Sequence, residues 1–169
     1  MSYFNKLNRL QRIMITINSK PITEDNFIKF GKVVKSPKGE PTAQATDFKF
    51  WSDIANYEID GATEIGICTV YKQPKSIING MERHLDTPEI LIPIDAPFVL
   101  PLLKEGEAEE QSEAFQVDIG EAVVIDKAVW HGACLPIGKE ESSYFVIFKK
   151  GTPNEDVYKK DIKEIELQF

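Results

Sequence analysis

The chain has 169 residues, of which 42% are hydrophobic and 28% charged. That length fits one packed domain with a short extension, and the apolar content excludes a disordered chain. Lys and Arg total 20 against 27 Asp and Glu, for a net charge of −7. A nucleic-acid partner, which needs a basic face, is therefore not expected. Two His and two Cys exclude a four-Cys zinc cage, a multi-disulfide scaffold and any site built from several imidazoles.

In chain order, residues 1–20 read as an N-terminal extension and 21–169 as a single domain. Phe4, Leu7 and Leu10 recur at helical spacing and predict a helix over Met1–Arg12. The apolar run Ile13-Met14-Ile15-Thr16-Ile17 is too short to span a bilayer and lacks a signal-peptide cleavage site. No membrane partner is expected. Thr23–Gly31 predicts a short helix, with Thr23 as its cap, Glu24 and Asp25 at the positive end of the dipole, and Gly31 just past its end.

Most of the remaining chain reads as strands. Glu64–Tyr71 and Ala114–Ile119 alternate in polarity. Ile90–Ile94, Phe98–Leu102, Ala122–Ile125 and Tyr144–Phe148 are short apolar runs. Pro93 and Pro101 inside two of these runs predict edges or bulges. The acidic run Glu105–Glu110 reads as a solvated loop, and Lys160–Leu167 as a turn or an edge segment. Many short strands, tight turns and little helix predict an all-β barrel or sandwich. Cys68 and Cys134 lie far apart and predict small core residues with free thiols, in a reducing cytoplasmic setting.

Both histidines sit beside strands. In extended chain Glu82 and His84 share a face, while Arg83 points the other way. Glu89 follows a turn at Asp86-Thr87-Pro88 and can return to the same mouth. His131 emerges after a strand that ends in the turn Asp126-Lys127. Trp130 beside it reads as a packing residue. Imidazole serves both as a ligand and as an acid–base group near neutral pH. Glu82, His84, Glu89 and His131 together form a mixed N/O set for a divalent ion such as Zn, Mn, Fe or Ni. The plainer reading is that both imidazoles only hydrogen-bond in a barrel mouth and both carboxylates are solvated.

The spacing resembles the cupin superfamily. His84 takes the second His position of its first motif and Glu82 the first, Glu89 follows with four residues between, and Ser76 and Ala96 replace the flanking glycines. In the second motif Gly120 and His131 match the ends, while Asp126 and Ala128 replace Pro and Gly. Within that class the chain resembles the ureidoglycolate lyase family. The residues that carry this are Glu82-Arg83-His84, Ile92-Pro93-Ile94 and Val129-Trp130-His131, with flanks at Phe27–Val33, Tyr71–Pro74 and Phe145–Gly151. Three positions depart from the family: Gly132 replaces the second His of Trp-His-His, Glu89 replaces a Gln, and Lys149-Lys150-Gly151-Thr152 replaces Asp-Arg-Gly-Gly.

The resemblance implies a cupin-like double-stranded β-barrel (jelly roll) with a few short helices. It implies a lyase that breaks a carbon–nitrogen bond, splitting ureidoglycolate into glyoxylate and urea within allantoin degradation and purine catabolism. The expected roles are His131 as base, Glu82 or His84 as acid or metal ligand, and Lys150 and Glu89 as substrate-binding residues. A small-molecule carboxylate substrate, a divalent metal, no organic cofactor and a homodimer are expected. Two other readings stand beside this one: a non-catalytic or differently specific cupin that binds a small acid or sugar, and a metal-dependent isomerase.

Overall fold

The computed structural model describes residues 14–169, so the expected helix over Met1–Arg12 lies outside them. The chain begins with β1 (Ile15–Asn18), β2 (Lys20–Pro21), helix α1 (Glu24–Phe27) and β3 (Gly31–Val34). A hairpin comes next, β4 (Ala43–Gln44) and β5 (Lys49–Phe50), then the long β6 (Thr63–Tyr71), β7 (Ile77–Arg83), β8 (Glu89–Pro93) and β9 (Phe98–Leu103). After a single 3₁₀ turn at Glu109–Gln111 come β10 (Glu113–Val117), β11 (Ala122–Ile125), β12 (Trp130–His131) and β13 (Leu135–Pro136). The chain closes with β14 (Glu141–Lys149), helix α2 (Thr152–Glu155) and β15 (Tyr158–Gln168).

Two sheets face each other. The larger runs β1-β15-β7-β12-β9-β10-β2, with β13 paired to β9, and the smaller runs β3-β11-β8-β14-β6. Phe27, Phe30, Phe98, Leu100, Phe115, Val123, Ile125, Val146 and Phe148 fill the space between them. Each fully buried aromatic or aliphatic side chain there contributes about 1.5–3 kcal/mol through lost contact with water. A second cluster lies on the outer face of the larger sheet, where Ile78, Met81, Val99, Leu103, Trp130 and Ile165 pack with Ile15 and Ile17. Strand β9 serves both clusters, which is why its run Phe98-Val99-Leu100-Pro101-Leu102-Leu103 is apolar without alternation. The result is an all-β, two-sheet barrel with two short helices.

Several elements differ from the sequence reading. The helix after Thr23 ends at Phe27, and Thr23 forms a capping box with Asn26. Gly31 is not its terminator but the first residue of β3. There φ is +151°, and a Cβ would stand 1.8 Å from the Val124 carbonyl oxygen, so glycine is needed for the close approach to β11. Pro101 lies in a central strand. Its carbonyl accepts from the Gly132 N–H, and the N–H it lacks would face Gly132 just past the end of β12, so the ladder forgoes only that one reciprocal bond. Pro93 is the last residue of β8, beyond the last pair with β11. The segment at Lys160–Leu167 belongs to the 11-residue strand β15, seated between β1 and β7. A register shift between Asp161 and Ile165 breaks its alternation. Ile15–Asn18, read as part of an extension, pair in parallel with Ile165–Gln168.

The acidic run is also more tied down than a solvated loop. Glu105 accepts from both Arg83 and the Trp130 indole, and these partners hold its carboxyl below the usual range. Glu107 pairs with Lys29 and Glu110 with Lys163.

Candidate functional site

Pairing between strands assembles the site. His131 of β12 stands opposite Glu82 of β7, so the two motif segments are cross-strand neighbours in the larger sheet. His84 follows β7 by one residue, and its ring centroid lies 5.2 Å from that of His131. Glu89 comes from the other sheet, as the first residue of β8. Its Oε2 is 3.3 Å from His131 Nε2, and its Oε1 is 4.0 Å from His84 Nε2. All four residues singled out from the sequence therefore meet at one place. His84, Glu89 and His131 are buried, at 6%, 8% and 6% exposure, and Glu82 is half-buried.

Burial sets the charge states. Withdrawal from water pushes the Glu89 carboxyl up to about 7, with His84 opposing and Glu82 adding to the rise. The same withdrawal pulls His131 down to about 4, assisted by His84 and opposed by Glu82. The neutral forms of both groups are thus favoured.

His84 Nδ1 lies 2.6 Å from the carbonyl oxygen of Asp156. A carbonyl only accepts, so Nδ1 carries a proton, and in the neutral imidazole Nε2 then presents its lone pair. His84 Nε2, His131 Nε2 and Glu89 Oε2 are buried without a hydrogen-bond partner. Unpaired buried polar groups are costly, and three that converge form a set that a cation or polar substrate can complete. One donor atom each from Glu82, His84 and His131 lie within 4.8 Å of one another. Two imidazole nitrogens and a carboxylate oxygen suit a borderline divalent ion.

A cavity of about 590 Å³ opens here, with Glu82, Glu89 and His131 in its wall. Its deeper wall is apolar, from Leu91, Leu100, Val146 and Phe148. Cys68, Cys134 and Tyr144 also line it, and burial pushes the Cys134 thiol up, so it stays protonated. Lys150, expected to contact substrate, is exposed just after β14 and is not among the residues lining this cavity. The cations on the wall are Lys159 and Lys160. Lys159 stands opposite Glu82 in register, with Nζ 3.8 Å from Glu82 Oε2. Lys160 holds its ammonium over the Trp130 ring at 4.4 Å, as Arg83 does with its guanidinium. Neither Lys159 nor the buried Asp156 stood out in the sequence. Lys159 is placed by strand register, and Asp156 by a contact across 72 residues of chain.

The model of the ureidoglycolate lyase family matches residues 14–168. The chain belongs to the ureidoglycolate lyase family. A ureidoglycolate lyase of Chelativorans sp. is 28% identical over 149 residues, covering 83% of this chain and 89% of its own. One from Pseudomonas syringae pv. tomato is 26% identical over 149 residues, covering 83% and 87%. Among solved structures, Bacillus subtilis oxalate decarboxylase is similar at a TM-score of 0.40 and 18% identity over 52% of this chain, which spans 21% of that one. Peruvianin-I, a cysteine peptidase from Thevetia peruviana latex, is similar at a TM-score of 0.44 and 8% identity, covering 60% of this chain and 56% of its own.

Two family departures acquire a physical meaning. A side chain at Gly132 would point at Pro101 Cγ, 2.9 Å away, and Ile78 Cδ1, 3.2 Å away. Ile78 belongs to the outer cluster, so the family histidine lost here would project away from His84 and His131. Ala128, at the family-class glycine position, has φ +65°, the left-handed conformation that glycine adopts without strain.

Proposed function

We propose that the chain cleaves ureidoglycolate to glyoxylate and urea. The observation that carries this is the buried, unpartnered His84–Glu89–His131 cluster on a ureidoglycolate lyase family chain. The reaction moves one proton. The carbinol hydroxyl loses its proton, its oxygen forms the glyoxylate carbonyl, the carbon–nitrogen bond breaks, and the urea nitrogen takes a proton. No water is consumed.

Glu89 is the proton carrier in this reading. Its carboxylate oxygens lie 3.3 Å from His131 Nε2 and 4.0 Å from His84 Nε2, and burial raises its proton affinity above that of an exposed carboxylate, which suits a group that takes up and returns a proton. As a carboxylate it accepts the carbinol proton, and as an acid it returns that proton to the departing nitrogen. This moves the base role expected for His131 to Glu89, because burial disfavours the protonated form of His131. Glu82, His84 and His131 would hold a divalent cation, whose chemistry would be to bind the substrate carboxylate and stabilise negative charge developing on the carbinol oxygen. Lys159 takes the carboxylate-binding role expected for Lys150, since it lines the cavity and Lys150 does not. A small-molecule carboxylate is therefore the proposed substrate class.

Product analysis tests the reading. The full chain, supplied in turn with Zn, Mn, Fe and Ni, is expected to release glyoxylate and urea in equal amounts from ureidoglycolate. Release of ammonia instead of urea, or no product with any metal, contradicts it. A chain that binds small acids in a thermal-shift panel yet turns over nothing would be a binding cupin.

A further inference from the structure

The segment after β14 folds back behind His84. Gly151 starts it at φ +90°, and the Thr152 hydroxyl donates to the Lys149 carbonyl at 2.7 Å. The segment ends at Asp156, which is 5% exposed. A buried carboxylate requires strong partners, and Asp156 has two. Its Oδ1 accepts from the Leu85 N–H at 2.9 Å and its Oδ2 from the Asp86 N–H at 2.8 Å. These are the two residues directly after His84. The Asp156 carbonyl accepts from His84 Nδ1 at 2.6 Å. One residue thus grips the backbone on the far side of His84 and the ring itself. A further tie joins the same two segments, where the Lys149 N–H donates to the Thr87 hydroxyl at 3.1 Å.

We propose that Asp156 is a positioning residue for His84: its carboxylate anchors the turn at Leu85-Asp86 so that its carbonyl holds His84 as the Nδ1–H tautomer, with Nε2 bare for a ligand. The consequence for cation binding rests on the reading of His84 as a ligand; the tautomer itself does not. Without the carboxylate, the turn and the carbonyl lose their shared anchor. The imidazole then samples both tautomers, one of which carries a proton on Nε2 and cannot bind a cation.

The test uses the full chain as wild type, Asp156→Asn and Asp156→Ala. Long-range proton–nitrogen NMR reads the tautomer of each histidine, and Co²⁺ titration reads affinity. Wild-type His84 is expected to show a protonated Nδ1 and an unprotonated Nε2. Both variants are expected to shift His84 toward mixed tautomers, leave the His131 pattern unchanged and weaken Co²⁺ binding about 10–100-fold. A purely structural Asp156 would lower the melting temperature of the variants but leave the tautomer as in wild type, and that result overturns the proposal. So does a wild-type His84 with its proton on Nε2, a result that stands even if neither variant folds. Neither readout uses ureidoglycolate, so a failure of the lyase reading is seen separately, as absent turnover by a chain with the expected tautomer.

Discussion

Glu89 is the residue at which stability and chemistry pull in opposite directions. Its folded pKa, about 7, lies above the ordinary value of 4.5. Its stabilising contribution is therefore complete below pH 4.5 and is lost as pH rises through 7. His131 runs the other way, from 6.5 down to about 4, so its contribution is present above pH 6.5 and lost as pH falls through 4. Between these limits the two oppose each other. Glu89→Gln is expected to raise the stability of the metal-free protein at pH 8 by about 3 kcal/mol and to leave a profile that climbs with pH between roughly 4 and 6.5. Urea denaturation across pH reads this, and a variant no more stable than wild type at pH 8 would contradict it. Ala128 offers a cleaner case. Its left-handed backbone predicts that Ala128→Gly stabilises by about 1 kcal/mol, seen as a melting temperature higher by roughly 2–4 °C. At this scale much was legible, since the spacing of Glu82, His84, Glu89 and His131 identified four residues that the fold brings together. Asp156 and Lys159 were not, because a contact over 72 residues and a register position leave no local mark.

Among the elements, β12 is short and decisive. Two residues suffice to send Trp130 to the outer cluster and His131 into the cavity. The same alternation turns position 132 outward, so its glycine reflects packing against Pro101 and Ile78. Gly31 shows how tightly the smaller sheet is drawn together. Gly31→Ala forces a Cβ into the Val124 carbonyl and is expected to cost about 3 kcal/mol or more, measured as a lower denaturation midpoint with an unchanged slope. A near-wild-type midpoint would mean that β3 and β11 can separate without loss. Strands β9 and β14 were readable from apolar runs. Strand β15 was not, because Lys159, Lys160, Asp161, Lys163 and Glu164 make it polar and its register shift hides the period of two.

For the whole molecule, two sheets close on a core and leave one end open as an acidic, histidine-bearing cavity. Net charge −7 does not by itself suit the proposed anionic substrate, and the proposed cation would offset it at the site. A ligand that binds only the folded state stabilises it by about 2.7 kcal/mol at a hundred times its dissociation constant. Co²⁺ is thus expected to raise the melting temperature of wild type and to leave His131→Ala unmoved. Equal shifts in both would place the cation elsewhere.

The role of Glu89 as proton carrier is tested by ureidoglycolate turnover in wild type and Glu89→Gln, followed as glyoxylate released at pH 7.5 with a divalent metal present. Wild type is expected to release glyoxylate steadily, and the folded variant at a rate at least about a hundredfold lower, the cost of removing a proton carrier. Equal rates, or no release by wild type, would contradict that role.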